Sequence, residues 1–202
     1  MTASTSRRGV ALAVPGALLA ALAVPVASAG AQPAHGNAVL RWDALAGQAA
    51  LRIGIAPADN PLHESRMYAM TFLAVHDALN AIDRRYRSYA LRSGVSAPGA
   101  SVDAAVAAAA RGVLGPVLRE IPAPFDANAP AAVQVVEDAY AAELARVPDG
   151  AAEDEGVAVG ARAARAILAA REDDGSDTPL FDFDYPQGTA PGQWRFTPDR
   201  PL

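Results

Sequence analysis

The stretch from Glu64 to Tyr86, ESRMYAMTFLAVHDALNAIDRRY, constrains the fold of this chain more than any other. Tyr68, Phe72, Val75, Leu79 and Ile82 recur at helical spacing and fall on one stripe of an α-helix. Met67, Thr71, Ala74, Ala78 and Ala81 lie beside that stripe and widen the apolar arc to roughly half the circumference. A surface helix needs only about 100° of apolar face, so this one is expected to be the central helix and to touch more than one neighbour. On the other side of the stripe His76, Asn80 and Asp83 form a polar flank, and Asp77 falls almost opposite it.

The rest of the composition fits a helical protein. At 202 residues with 51% apolar side chains, the chain is long enough for one domain with a sizeable core. Alanine abounds and aromatic residues are few (6%), which favours helices packed closely through small side chains. The absence of cysteine excludes disulfides and thiolate metal sites. All 17 basic residues are arginine, so chemistry that needs a Schiff-base or P-loop lysine is excluded within these residues. A net charge of −5 argues against a nucleic-acid partner.

Residues 1–29 read as an export signal. Arg7 and Arg8 form the basic start, Val10 to Val26 the apolar stretch, and Ala27-Ser28-Ala29 a small-residue cleavage pattern. The chain is therefore expected to be exported by the general route or, given Arg7-Arg8, the twin-arginine route. The alternative is an uncleaved anchor, the only membrane contact the sequence suggests. Residues 30–36 read as a flexible lead-in, and residues 37–174 as a bundle of about five antiparallel helices.

The first helix is expected over Asn37 to Ile55, with Val39, Trp42, Ala46, Ala49 and Ile53 inward, and Pro57 and Pro61 punctuate the link to the second. Ser101 is the natural N-cap of an alanine-rich helix expected to kink or end at Gly115-Pro116, with Pro122 and Pro124 closing the region. Pro130 suits the first turn of the next helix, with Val133, Val136, Tyr140, Leu144 and Val147 on one face. Pro148-Asp149-Gly150 turns it into a last helix over Ala151 to Arg171. Glu153, Asp154 and Glu155 near its start, and Arg162, Arg165 and Arg171 near its end, complement the macrodipole and read as a solvated face.

From residue 175 to 202 no helical period fits. Phe181, Phe183, Tyr185, Trp194 and Phe196 cluster there among prolines. Disordered tails are poor in aromatics, so this segment is expected to be an extended strap over a folded surface or a docking partner. It reaches Leu202 without a closing element, and the sequence reads as an unfinished chain.

Catalytic motifs are hard to find. His63-Glu64 does not extend to a zinc-binding helix motif, because position 67 is methionine. Glu172 to Asp177 lacks the spacing of a calcium loop, and Gly175 reads as a helix-ending glycine. The one suggestive group is His76, Asn80 and Asp83, which could orient an imidazole for proton transfer but reads first as a hydrogen-bonded structural cluster. No residue is assigned a catalytic, cofactor-binding or metal-binding role.

Several segments, in order, resemble one family. Arg66-Met67-Tyr68, then Val75-His76-Asp77-Ala78-Leu79-Asn80-Ala81-Ile82 and Arg84-Arg85-Tyr86, resemble the N-terminal helical half of bacterial vanadium-dependent haloperoxidase-related proteins, in the type 2 phosphatidic acid phosphatase superfamily. Ala166 to Arg171, Asp174-Gly175-Ser176-Asp177, and Pro191-Gly192-Gln193-Trp194-Arg195 with Pro198 resemble the same proteins. The resemblance spans about residues 37–202 and implies an all-α scaffold. In a full-length relative it implies a vanadate or phosphate site built from a lysine and arginine motif, a Ser-Gly-His motif, and a further arginine and histidine. None of these can be placed here: lysine is absent, and Ser93-Gly94 is followed by Val95. The resemblance therefore implies a scaffold half, inactive alone, whose partner is a C-terminal half lying beyond these residues. The competing expectation is a non-enzymatic exported interaction module.

Overall fold

The computed structural model describes residues 37–55, 61–121, 126–176 and 186–195. The expected signal, lead-in, inter-helix prolines Pro57, Pro122 and Pro124, and strap residues Phe181, Phe183, Tyr185 and Phe196 lie outside the described residues. Among the described residues, five α-helices carry the fold: α1 (Ala38–Ile53), α2 (Pro61–Ile82), α3 (Val102–Arg119), α4 (Ala129–Leu144) and α5 (Ala151–Ala170). A short 3₁₀ turn, Asp126–Asn128, leads into α4. The all-α bundle expected from the sequence is the observed architecture, and the described residues contain no strand.

Local chemistry sets most helix ends. Asn37 caps α1, its side-chain oxygen accepting from the Val39 N–H at 2.9 Å, and Gly54 closes it in the left-handed conformation at φ 81°. Ser101 caps α3 by accepting from the Ala104 N–H at 3.3 Å. Pro61 opens α2 and Pro130 lies in the first turn of α4, positions where no N–H is required. Of the kink or end expected at Gly115-Pro116, the end does not occur: α3 runs on through Pro116 to Arg119. Leu114, Gly115 and Leu118 are buried around the proline, and their packing holds the turn that its missing N–H weakens.

The centre of the bundle is α3 rather than α2. Every residue from Ala104 to Ala110 is buried, so this stretch of α3 is covered all round, and α3 touches each of the other four described helices. Its buried Leu114 and Leu118 each stabilise the fold by about 1.5–3 kcal/mol relative to exposure. α2 packs against α3, α5 and, slightly, α1. It does touch several neighbours, but its inward face is rotated by about 100° from the bulky stripe. Met67, Thr71, Ala74, Ala78 and Ala81 are buried, while Tyr68, Phe72, Leu79 and Ile82 are only partly covered. Ala74, Ala78 and Ala81 let the helix approach α3's alanines, and Met67, Met70 and Val75 are buried with them.

Chain direction alternates along the sequence. Arg41 of α1 reaches both Asp103 at the start of α3 and Glu143 near the end of α4, so α1 and α3 run parallel and α4 opposes them. α3 and α5 also run parallel, in very close contact. A Cβ on Gly156 would lie 2.6 Å from the Ser101 carbonyl, one on Gly160 would lie 2.8 Å from the Ala109 nitrogen, and one on Gly112 would lie 2.6 Å from the Ala164 methyl. The Ser101 N–H also donates to the Ala152 carbonyl at 2.7 Å, tying the two helix starts together.

In the tail segment, residues 186–195 close on themselves. The Gly188 N–H donates to the Trp194 carbonyl at 2.8 Å, and the Gln193 side-chain oxygen accepts from the Thr189 and Ala190 N–H groups, each at 3.1 Å. Most of this turn is exposed, and Trp194 is 49% exposed. Within the expected strap, residues 186–195 thus form a local turn stabilised from within.

If the α3–α5 approach sets the bundle, Gly160→Val must force the helices apart. The expected loss is about 2–3 kcal/mol in denaturant unfolding, and an unchanged midpoint would show that α5 is not seated as described.

Candidate functional site

The polar residues of α2 do their work through chain segments that fold back over them. Asp77, which the helical wheel placed on the outside, is 1% exposed. One carboxylate oxygen accepts from the Tyr89 N–H at 2.6 Å and the other from the Ala90 and Leu91 N–H groups, each at 2.7 Å. These bonds fasten the segment after α2 across the helix and satisfy a charge that would otherwise be costly to bury. Only residues 12 to 14 positions downstream supply the donors, so no local pattern in the sequence announces this role.

His76 and Asn80 do meet, as their spacing suggested. The Asn80 oxygen accepts from the Arg85 N–H at 3.3 Å and the Tyr86 N–H at 3.0 Å. Those two donors fix the amide orientation, so its nitrogen faces His76 Nε2 at 2.8 Å. The same ring nitrogen lies 3.1 Å from the Arg87 carbonyl, which can only accept. Nε2 therefore serves one partner at a time: bare, it accepts from Asn80, and protonated, it donates to Arg87. The structure does not bring Asp83 into this pair. Its carboxylate is exposed and accepts from Arg85 Nε at 2.7 Å. All three residues line one open depression of about 320 Å³, with Leu79, Tyr86 and Val102 as its apolar wall.

A second group joins the base of α2 to the end of α5. Arg66 donates to Asp174 at 3.0 Å and to the Arg171 carbonyl at 3.0 Å, and His63 Nε2 lies 3.0 Å from the Ser176 carbonyl. The Arg171 guanidinium, expected on a solvated face, stacks over the Tyr89 ring at 5.5 Å and donates to its hydroxyl. Asp174 of the acidic run is thus a structural ion-pair partner. The Arg66 hydrogen bond, assisted by Ser176, holds its carboxyl down at about 2. Gly175 next to it adopts φ 80°, a turn conformation that other residues resist.

A third group ties α1 to α4. Glu143 is 3% exposed and accepts from Arg41 Nε at 3.0 Å and Arg146 at 3.3 Å. Its hydrogen bond to Arg41 raises the guanidinium pKa further. On the α1-facing side of α2, burial and the Glu64 carboxylate, 2.6 Å away, keep the Tyr68 hydroxyl protonated far above its ordinary value.

Most of these groups already have structural partners. Asp77 and Glu143 each accept three hydrogen bonds, and Nε2 of His63 and of His76 faces backbone or amide partners. Among the described residues no group of three or more His, Cys, Asp or Glu side chains could hold a metal ion. Nor do they suit vanadate, which needs several cations converging beside a histidine. In the His76 depression the lining arginine, Arg85, is already paired with Asp83. No helix among the described residues is long and apolar enough to cross a membrane. No family model, curated protein or solved structure matches this chain.

Two measurements test the structural roles. Asp77→Ala should cost about 3 kcal/mol or more in unfolding free energy, because three backbone donors lose a charged acceptor, against about 1–3 kcal/mol for His76→Ala. Equal, negligible effects would mean that the segment after α2 is not anchored there. Because Asp174 has a depressed pKa, its stabilisation is present above the unfolded value of about 4 and is lost as pH falls toward about 2. The stability gap between wild type and Arg66→Gln at pH 6 should therefore close over that acid window; a gap persisting below it would place the ion pair elsewhere.

Proposed function

We propose that residues 37–176 are the helical scaffold of an exported protein related to the vanadium haloperoxidases and type 2 phosphatidic acid phosphatases. In that reading the oxyanion site is supplied by residues outside this chain, and the chain is inactive by itself. The complete protein would oxidise halide with peroxide or hydrolyse phosphoesters; the two chemistries use the same kind of oxyanion pocket, which the scaffold does not distinguish.

One observation supports this reading above the others. Two of the stretches that carry the resemblance, around Arg66–Ile82 and around Ala166–Asp177, interlock through Arg66, Arg171 and Asp174. Residues shared by such stretches are then explained as contacts that fix helix positions. His76, Asn80 and Asp77 likewise spend their hydrogen-bonding capacity on backbone and neighbouring amide groups. The exposure of Trp194 favours a second reading, an exported interaction module whose tail docks on a partner.

Sequencing the coding region beyond Leu202 separates the two. A continuing frame with a lysine and arginine motif and Ser-Gly-His is the expected result; a stop followed by unrelated sequence would favour the module. The purified 202-residue chain should show neither vanadate-dependent bromination nor phosphate-ester hydrolysis, and either activity would overturn the scaffold reading.

A further inference from the structure

α4 and α5 both pack on α3, and the groove between them has a chemistry that the bundle itself does not use. Its floor is α3, through Ala108, Gly112 and Gly115, and its volume is about 330 Å³. That is the size of a compact small-molecule site. Arg119 folds back along the floor, its guanidinium 3.2 Å from where a Cβ on Gly115 would lie. Glycine at that position therefore leaves room for the cation inside the groove.

Three arginines line this space, one from each end of the α3 stretch and one from α5: Arg111, Arg119 and Arg165. The carboxylate among the lining residues is Glu137, which binds Arg111 at 2.8 Å through one oxygen and approaches Arg119 at 3.6 Å with the other. Arg111 also stacks 4.9 Å over the Tyr140 ring, which holds its fork in place. Arg165 makes no ion pair among the described residues. Three guanidiniums thus face one carboxylate, a local positive excess on a chain whose net charge is −5. Glu153 acts on Tyr140 from the α5 side but does not line the groove. Burial keeps the Tyr140 hydroxyl protonated, so it can donate to an anion. Val157, Ala161 and Leu168 make the α5 wall apolar.

The geometry points to this groove as a binding site for a small organic carboxylate, its apolar body against α5 and its carboxylate taken by Arg165 with the free donors of Arg111 and Arg119. Each guanidinium has five N–H donors in a fixed fork, and Glu137 occupies only part of that capacity. An apolar body suits the wall, and a carboxylate matches the forks in bidentate geometry.

Calorimetric titration of the purified full chain with 2-naphthoate tests the site, with 2-naphthamide and inorganic phosphate as the other probes. Binding of naphthoate at roughly 0.1–1 mM is expected, at least about tenfold tighter than the neutral amide and weakened by added salt. Arg165→Gln, at an exposed position that should not disturb folding, should weaken naphthoate about fivefold, while Arg162→Gln on the exposed face outside the groove leaves it unchanged. Absence of binding at about 10 mM, equal affinity for the amide, or equal losses in both variants would overturn the proposal. Phosphate binding as tightly as naphthoate would overturn its organic part and leave a site for simple oxyanions.

Discussion

The close approach of α3 and α5 is the contact on which the remaining geometry rests. It is possible because Gly156, Gly160 and Gly112 leave no side chain where the helices meet, and because α3 presents alanines along the same line. Small side chains give each helix little apolar area, so stability leans on the all-round covering of the Ala104–Ala110 stretch of α3 as well as on buried anchors such as Trp42 and Leu114. With α5 drawn against α3, its end falls beside the start of α2, where Arg66 can clasp Asp174 and the Arg171 carbonyl. α4 lies on the other side of α3, which leaves the arginine-lined groove open between α4 and α5.

Buried polar groups then fix what the small-residue core leaves unspecified. Alanine faces slide past one another at little cost, since they lack the shape that locks larger side chains in register. Asp77, Asn80 and Glu143 are each buried and each bind groups from another segment: residues 89–91, residues 85–86, and Arg41 with Arg146. Displacing any of these segments would leave a buried acceptor unpaired, so the polar contacts penalise alternative positions. Asp77 and Glu143 thus serve the fold as acceptors of three hydrogen bonds each. The groove arginines differ in this respect: their donors outnumber the acceptors around them.

Some of this was legible in the sequence. Ser101 and Pro130 mark helix starts through short-range chemistry, and α1 buries Trp42, Ala46, Ala49 and Ile53 of the face its periodicity indicates, although it stops at Gly54 rather than running to Ile55. The alliance of His76 with Asn80 follows from their separation by one helical turn. The orientation of α2 was not legible, because Phe72, Leu79 and Ile82 outweigh alanine on any hydrophobicity scale, yet Ala74, Ala78 and Ala81 are buried, with Met67, Thr71 and Val75, while those three stay partly covered. Asp83 shares a helix flank with His76, but Arg85, two residues away, captures it first. Pro116 marks a helix end in isolation and is overridden by the packing of Leu114 and Leu118 around it.

The sequence by itself determined an all-helical chain, the caps and turns that divide it, and the exclusion of lysine and cysteine chemistry, since composition and contacts within a few residues decide these matters. Only the tertiary structure decided which helix is central, which face of α2 turns inward, and that Asp77 rather than Asp83 is the buried acid of α2. It also gathered Arg111, Arg119 and Arg165 with a single glutamate in one groove. Each of these depends on helix spacing set by glycines and alanines far apart in the chain, and a contact between distant segments leaves no periodic trace in either one.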